Sequence, residues 1–166
     1  MFKKLFGKKE QNNEELLVAP LTGKILDLEE VPDPVFSQKM MGEGLAIEPT
    51  SGEVVSPVKG EIVQLFPTKH AIGIKTDSGL EILVHIGLET VSMNGEGFEG
   101  HVEVGNKVKP GDKLITFDLD LVKEKAKSIV TPIIITNSDV VEQMDKLNSG
   151  EATKGETELL QVKVNQ

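Results

Sequence analysis

From Leu16 onward the apolar residues of this chain fall in short runs, each ended by Gly, Pro, Asp or Asn, and few recur at helical spacing. Such runs are strands joined by tight turns, so the pattern restricts the chain to an all-β fold: an antiparallel sandwich or barrel-like domain. Strands are expected over 23–28, 44–47, 60–66, 71–75, 80–86, 113–117, 131–136 and 158–164. Helix is confined to two short pieces. One follows Asp118, a capping residue placed before Leu119, Leu121, Val122 and Ala126, and the other is expected over 139–147.

An internal repeat supports this. Val18-Ala19-Pro20-Leu21-Thr22-Gly23-Lys24-Ile25-Leu26-Asp27-Leu28 returns 37 positions later as Val55-Ser56-Pro57-Val58-Lys59-Gly60-Glu61-Ile62-Val63-Gln64-Leu65. Each copy turns at Pro-x-x-Gly and runs into a strand, so the two halves are expected to pack as pseudo-equivalent hairpins of one sandwich. Two copies are too few for a solenoid. A length of 166 residues fits one domain, expected over 16–166, behind a polar, mobile tail over 1–15.

Charge narrows the partners. The first nine residues carry four lysines and no acid, leaving 14 lysines against 27 carboxylates, a net of −13, in the remainder. That excludes nucleic acid and favours a basic protein partner. Phe2, Leu5 and Phe6 among the lysines of residues 1–9 point to weak contact with an anionic membrane surface. No apolar stretch is long enough to span a bilayer, and the absence of cysteine suits a reducing compartment, so the expected location is cytoplasmic.

Few residues can do chemistry. There is no Cys, Trp, Tyr or Arg, and the histidines are His70, His85 and His101. Gly95-Glu96-Gly97-Phe98-Glu99-Gly100 fits a dinucleotide-binding pattern but leads into no helix, so it is read as a flexible loop. His101 is expected to be a solvated surface imidazole. His70 and His85 flank neighbouring strands, and a hairpin closed at Asp77-Ser78 sets them opposite one another at its open end. Imidazole is a nucleophile near neutral pH, so two facing rings form a candidate site.

Several segments then occur in a telling order: Val31-Pro32-Asp33-Pro34-Val35-Phe36, Met41-Gly42-Glu43-Gly44-Leu45-Ala46-Ile47-Glu48-Pro49, Lys69-His70-Ala71, Val84-His85-Ile86-Gly87 and Gly95-Glu96-Gly97-Phe98. Together they resemble the glucose-type enzyme IIA of the bacterial phosphoenolpyruvate:sugar phosphotransferase system. The resemblance implies a phosphocarrier that takes a phosphoryl group from HPr on His85 and passes it to a cysteine of a sugar-specific IIB domain of a membrane permease. It implies that His70 stabilises the phosphoryl group, that Thr68 orients His70, and that the Gly87 carbonyl holds the other nitrogen of His85. Val35, Phe36, Met40, Met41, Phe66, Ile72, Leu83 and Val91 match or neighbour the family's apolar docking patch, with Asp33 and Glu89 on its acidic rim. Ile72 and Leu83 stand where a well-known member has aromatic residues, and Pro34 replaces a branched one.

No cofactor is implied. The alternatives are a zinc-dependent regulatory module, with His70 and His85 ligating at a partner interface, and a biotinyl or lipoyl carrier. The second rests on Val104–Leu114, which resembles a segment of those carriers, and offers Lys39 as the modified lysine. Phosphorylation also adds nearly two negative charges to an apolar face, which suits contacts with regulatory targets.

Overall fold

The structure, a computed structural model, describes residues 13–165. Fourteen strands, all paired antiparallel, form three sheets. The large sheet takes the order β13 (Gly150–Ala152), β2 (Gly23–Asp27), β3 (Glu43–Pro49), β11 (Thr131–Ile135), β7 (Glu81–His85), β6 (Ala71–Lys75), β5 (Gly60–Leu65), β9 (Lys107–Val108). Two three-stranded sheets complete the fold: β1 (Glu14–Val18), β14 (Glu158–Val164) and β12 (Val141–Lys146), and β4 (Glu53–Val55), β10 (Lys113–Phe117) and β8 (Phe98–Gly100). The principal core lies among them, built from residues such as Leu17, Ile47, Ile62, Ile74, Ile82, Leu114, Ile133 and Leu160.

The repeat organises all of this. Val18 N–H donates to the Pro57 carbonyl and Val55 N–H to the Pro20 carbonyl, at 3.0 and 2.9 Å, so each copy holds the other at equivalent positions. The exchange continues outward, Ala19 donating to Thr157 and Ser56 to Asp112. Strands β2 and β5 then leave the two Pro-x-x-Gly turns for mirrored places in the large sheet, and β1 and β4 each join β14 or β10. The copies are pseudo-equivalent, and β11 and β7 meet at the centre.

Two helices occur. Helix α1 (Pro34–Ser37) is capped by Asp33, whose carboxylate accepts from Val35 N–H at 3.0 Å, and Pro34 suits its first turn. Helix α2 (Leu119–Lys125) is capped by Asp118, accepting from Leu121 N–H at 3.1 Å, as the sequence indicates.

Three expectations are corrected. The segment 139–147 is not helical: a short 3-10 turn (Ser138–Val140) leads into strand β12, paired with β14. A bulge between Val141 and Gln143 explains the misleading spacing, because an extra residue lets Val141 and Met144, three apart, share the inner face. Strand pairing also reaches further back than expected. Within 1–15, Asn13 is buried and donates to the Val164 carbonyl, and Glu14 and Glu15 already pair with β14, held by backbone bonds rather than apolar burial. The rest of that tail, including the membrane-contact segment 1–9, lies outside the described residues.

The third correction concerns the β6–β7 hairpin. Its loop is Asp77-Ser78-Gly79, closed by Thr76 and Leu80, with Gly79 at φ +98°. One residue more than expected in the loop shifts the register by one, so His85 pairs with Ala71 rather than with His70. Among the described residues no helix is long and apolar enough to cross a membrane.

Candidate functional site

His70 lies just before β6, and a tight turn rather than strand geometry aims it. Phe66-Pro67-Thr68-Lys69 is a β-turn closed by Lys69 N–H to the Phe66 carbonyl at 2.8 Å, with proline at its favoured second position. Lys69 then takes the left-handed conformation, φ +61°. That reversal offsets the one-residue slip in register, and the rings of His70 and His85 meet edge-on with centroids 5.1 Å apart. The turn also brings the Thr68 hydroxyl against His70 Nδ1.

The pair continues into a row of four rings: Phe36 packs on His85 at 5.2 Å, and Phe66 on His70 at 5.1 Å. Exposure separates the two imidazoles. His70 is 4% exposed, while His85, at the end of β7, is half-buried. His85 Nδ1 lies 2.8 Å from the Gly87 carbonyl. A carbonyl can only accept, so Nδ1 carries the proton and Nε2 keeps its lone pair.

Burial sets the charge state. It pushes His70 down to about 4, with help from the neighbouring His85. It lowers His85 too, opposed by the Gly87 carbonyl and the Asp33 carboxylate, which favour the charged ring. Both rings are therefore neutral at pH 7, the state a nucleophilic imidazole requires.

Of the residues expected in the docking patch, Val35, Met40, Met41 and Val91 are exposed, Met40 at 68% and Val91 at 55%, and Phe66, packed on His70, is half-buried. Glu89 is exposed and Asp33 half-buried at the α1 cap. Three residues expected in the docking patch are placed otherwise. Ile72 is wholly buried in the principal core. Phe36, 4% exposed, belongs to a second cluster with Leu28, Val31, Ala46 and Leu88 and buttresses His85 from beneath. Leu83, 6% exposed, forms with Met41, Val63 and Phe66 the wall of a cavity of about 260 Å³ beside the pair. The middle positions of the central strands β6 and β7 are buried on both faces, and Ile72 and Leu83 fall there while His85 ends its strand.

Lys39 lies between α1 and β3, not at a hairpin tip, and is held by Glu29 at 3.0 Å and Glu43 at 3.4 Å. No three His, Cys, Asp or Glu side chains gather as metal ligands among the described residues, so a zinc at His70 and His85 needs a further ligand from elsewhere. Residues 95–100 hold no helix N-terminus, and exposed His101 bonds Thr116 at 2.9 Å. Thr90 and Thr131, both wholly buried behind Gly87, were not singled out from sequence; their one signal is a hydroxyl within an apolar stretch.

Fold and site define an antiparallel β domain that presents one neutral, oriented imidazole supported by a second. Comparison with known proteins specifies the kind. Residues 15–141 match the model of the phosphoenolpyruvate-dependent sugar phosphotransferase system, EIIA 1 family. The chain is 64% identical, over 98% of both chains, to the PTS system glucose-specific EIIA component of Bacillus cereus, and 58% identical, over 99% of both, to that of Halalkalibacterium halodurans. It is similar in structure to glucose permease IIA from Mycoplasma capricolum, with a TM-score of 0.85 and 45% identity over 89% of this chain and 95% of that one. The chain belongs to the EIIA 1 family of the phosphoenolpyruvate-dependent sugar phosphotransferase system, in its glucose type.

Proposed function

We propose that this chain is the phosphocarrier of a sugar-uptake relay, receiving a phosphoryl group from phospho-HPr on His85 Nε2 and passing it to a cysteine of a sugar-specific IIB domain. One observation carries the reading: two neutral imidazoles meet edge-on, and the more exposed one has its Nδ1 tied to a carbonyl. In the transfer, the phosphorus–nitrogen bond of the donor breaks as the bond to Nε2 forms, and the donor ring leaves with the electron pair. The Nδ1 proton stays on His85. The ring becomes cationic as it bonds phosphorus, and the Gly87 carbonyl and Asp33 carboxylate face that charge.

His70 acts as the stabiliser. With the Thr68 hydroxyl donating to Nδ1, its proton sits on Nε2, from which it donates to a phosphoryl oxygen. Near-complete burial keeps it from taking the phosphoryl group itself. Little covalent work is asked of the protein, so its contribution is orientation and charge stabilisation.

Val35, Met40, Met41, Phe66 and Val91, with Asp33 and Glu89 at the rim, form the docking face for HPr and IIB. Methionine adapts to more than one partner, and the acidic rim suits basic ones. Phosphorylation places nearly two negative charges on this face, which fits regulation of further targets in the cytoplasm. Transfer is expected without a bound cofactor.

The test is reconstitution with phosphoenolpyruvate, enzyme I and HPr, followed by mapping of acid-labile phosphate. Label on His85, abolished in His85→Ala, is expected; label on His70 alone, or none, overturns the proposal.

A further inference from the structure

His85 is aimed by a carbonyl, and the carbonyl is itself held. Gly87 sits at φ +69°, where a side chain is strained, and an added Cβ would lie 2.7 Å from Thr90 Cγ2 and 2.9 Å from the Ser128 carbonyl oxygen. Its carbonyl accepts from His85 Nδ1, and its amide, on the other side of the residue, donates to Thr131 Oγ1 at 3.2 Å. The Thr131 hydroxyl donates onward to the Ile129 carbonyl at 3.0 Å. Thr131 thus accepts and donates at once, which valine, of the same shape, cannot do.

The two peptide groups that meet at Gly87 each have a second anchor, the Ile86–Gly87 peptide through its carbonyl and the Gly87–Leu88 peptide through its N–H. The Thr90 hydroxyl donates to the Ile86 carbonyl at 2.6 Å, Leu88 N–H to the Ser128 carbonyl at 2.9 Å, and Lys127 N–H to the Leu88 carbonyl at 3.1 Å. Gly87 is therefore gripped between its own turn and the segment joining α2 to β11. Thr131 and Thr90 are both 0% exposed, so water does not substitute for either hydroxyl.

We propose that Thr131 is a positioning residue for His85: through the Gly87 amide it orients the Gly87 carbonyl, and through that carbonyl it selects the imidazole tautomer whose Nε2 is free to react. The inference rests on His85 being the acceptor. The Gly87 amide and carbonyl lie in successive peptide groups joined at the glycine Cα, so once the amide loses its partner the Ile86–Gly87 peptide is held by the Thr90 hydroxyl alone, the Gly87 φ is less firmly set, and the carbonyl across Cα turns away from the Nδ1 proton. The ring then samples the tautomer protonated on Nε2, which has no lone pair to offer.

The full chain carrying Thr131→Val tests this. Nitrogen-15 shifts of the His85 ring are expected to report a proton on Nδ1 and a bare Nε2 in the parent, and a tautomer mixture in T131V. Phosphoryl acceptance from phospho-HPr is expected to slow ~10- to 100-fold, the usual cost of losing an outer partner of a reactive histidine, with KM for HPr unchanged. Thr131→Ser restores both. A parent-like ring spectrum in T131V overturns the proposal whether or not the rate falls, because a slower variant with an unaltered ring shows a purely structural role. If T131V does not fold, Thr131→Ala, which removes the hydroxyl without adding bulk, is read in its place. Failure of the phosphocarrier reading shows separately, as a parent protein that takes no phosphate, while the ring spectrum still decides the role of Thr131.

Discussion

The two copies of the repeat build matching strands and differ in what joins them. In the second copy, residues 66–70 connect β5 to β6 and carry Thr68 and His70; in the first, the much longer 28–42 connects β2 to β3 and carries the 3-10 turn Leu28–Glu30, Asp33 and helix α1. One connection supplies a second imidazole, and the other a wall and a charge. Because β11 and β7 adjoin at the centre of the large sheet, both connections reach the same place, and Phe36 from the first and His70 from the second both pack on His85. Duplication supplies a frame, and unequal loops supply the site.

That division is broken most severely by His70→Ala. If the second connection is chemical, phosphate still reaches His85 but ~10²- to 10³-fold more slowly, the cost of losing one aimed donor. Rapid-quench transfer from phospho-HPr measures it. An unchanged rate would reduce both connections to packing.

Acid adds a thermodynamic form of the same comparison, since the first connection has no histidine. His70 titrates at about 4 when folded against 6.5 unfolded. Between those values the unfolded chain binds more protons. The stability from keeping the ring neutral is thus complete above pH 6.5 and is lost as pH falls toward 4. Urea unfolding at pH 7 and pH 5 is expected to show a loss on the order of 2 kcal/mol that His70→Gln does not share.

Lys69 sharpens the contrast further, because its left-handed backbone turns the ring toward His85. Lys69→Val, β-branched and poorly suited to positive φ, is expected to cost about 1 kcal/mol of stability and to slow transfer, while Lys69→Gly leaves both near parental values. Urea titration and the transfer assay read the two effects.

These residues also show what a sequence makes visible. His85 stands out as one polar residue ending an apolar run, and the strands follow from apolar runs between turn-formers. The register of the β6–β7 hairpin was off by one, because nothing local separates a loop of Asp77-Ser78 from one that includes Gly79. Ile72 is expected in the docking patch only through the resemblance, and the sequence offers no check on it, because strands covered on both faces lose the alternation that tells inside from outside: β6 is buried from Ala71 through Ile74. Thr131 was invisible for a related reason. In a strand a threonine is ordinary, and only the structure reveals that its hydroxyl meets the Gly87 amide, 44 positions away.

The gentlest perturbation falls on the first connection. Lys39, like Lys69, is left-handed, at φ +59°, but it faces Glu29 and Glu43 rather than a histidine. Those ion pairs favour the charged form of Lys39, and a backbone hydrogen bond, with Lys39 helping, holds Glu29 below its usual range, yet all three side chains are substantially exposed, and such pairs contribute little in water. Glycine at this position gives up the ion pairs and relieves the backbone, two effects of opposite sign. Lys39→Gly should therefore leave the urea unfolding midpoint close to that of the parent and the rate of phosphoryl acceptance unchanged. A matching loss of transfer in Lys39→Gly and Lys69→Val would mean that both connections aim the imidazoles, and the asymmetry between the copies would then lie in their residues and not in their roles.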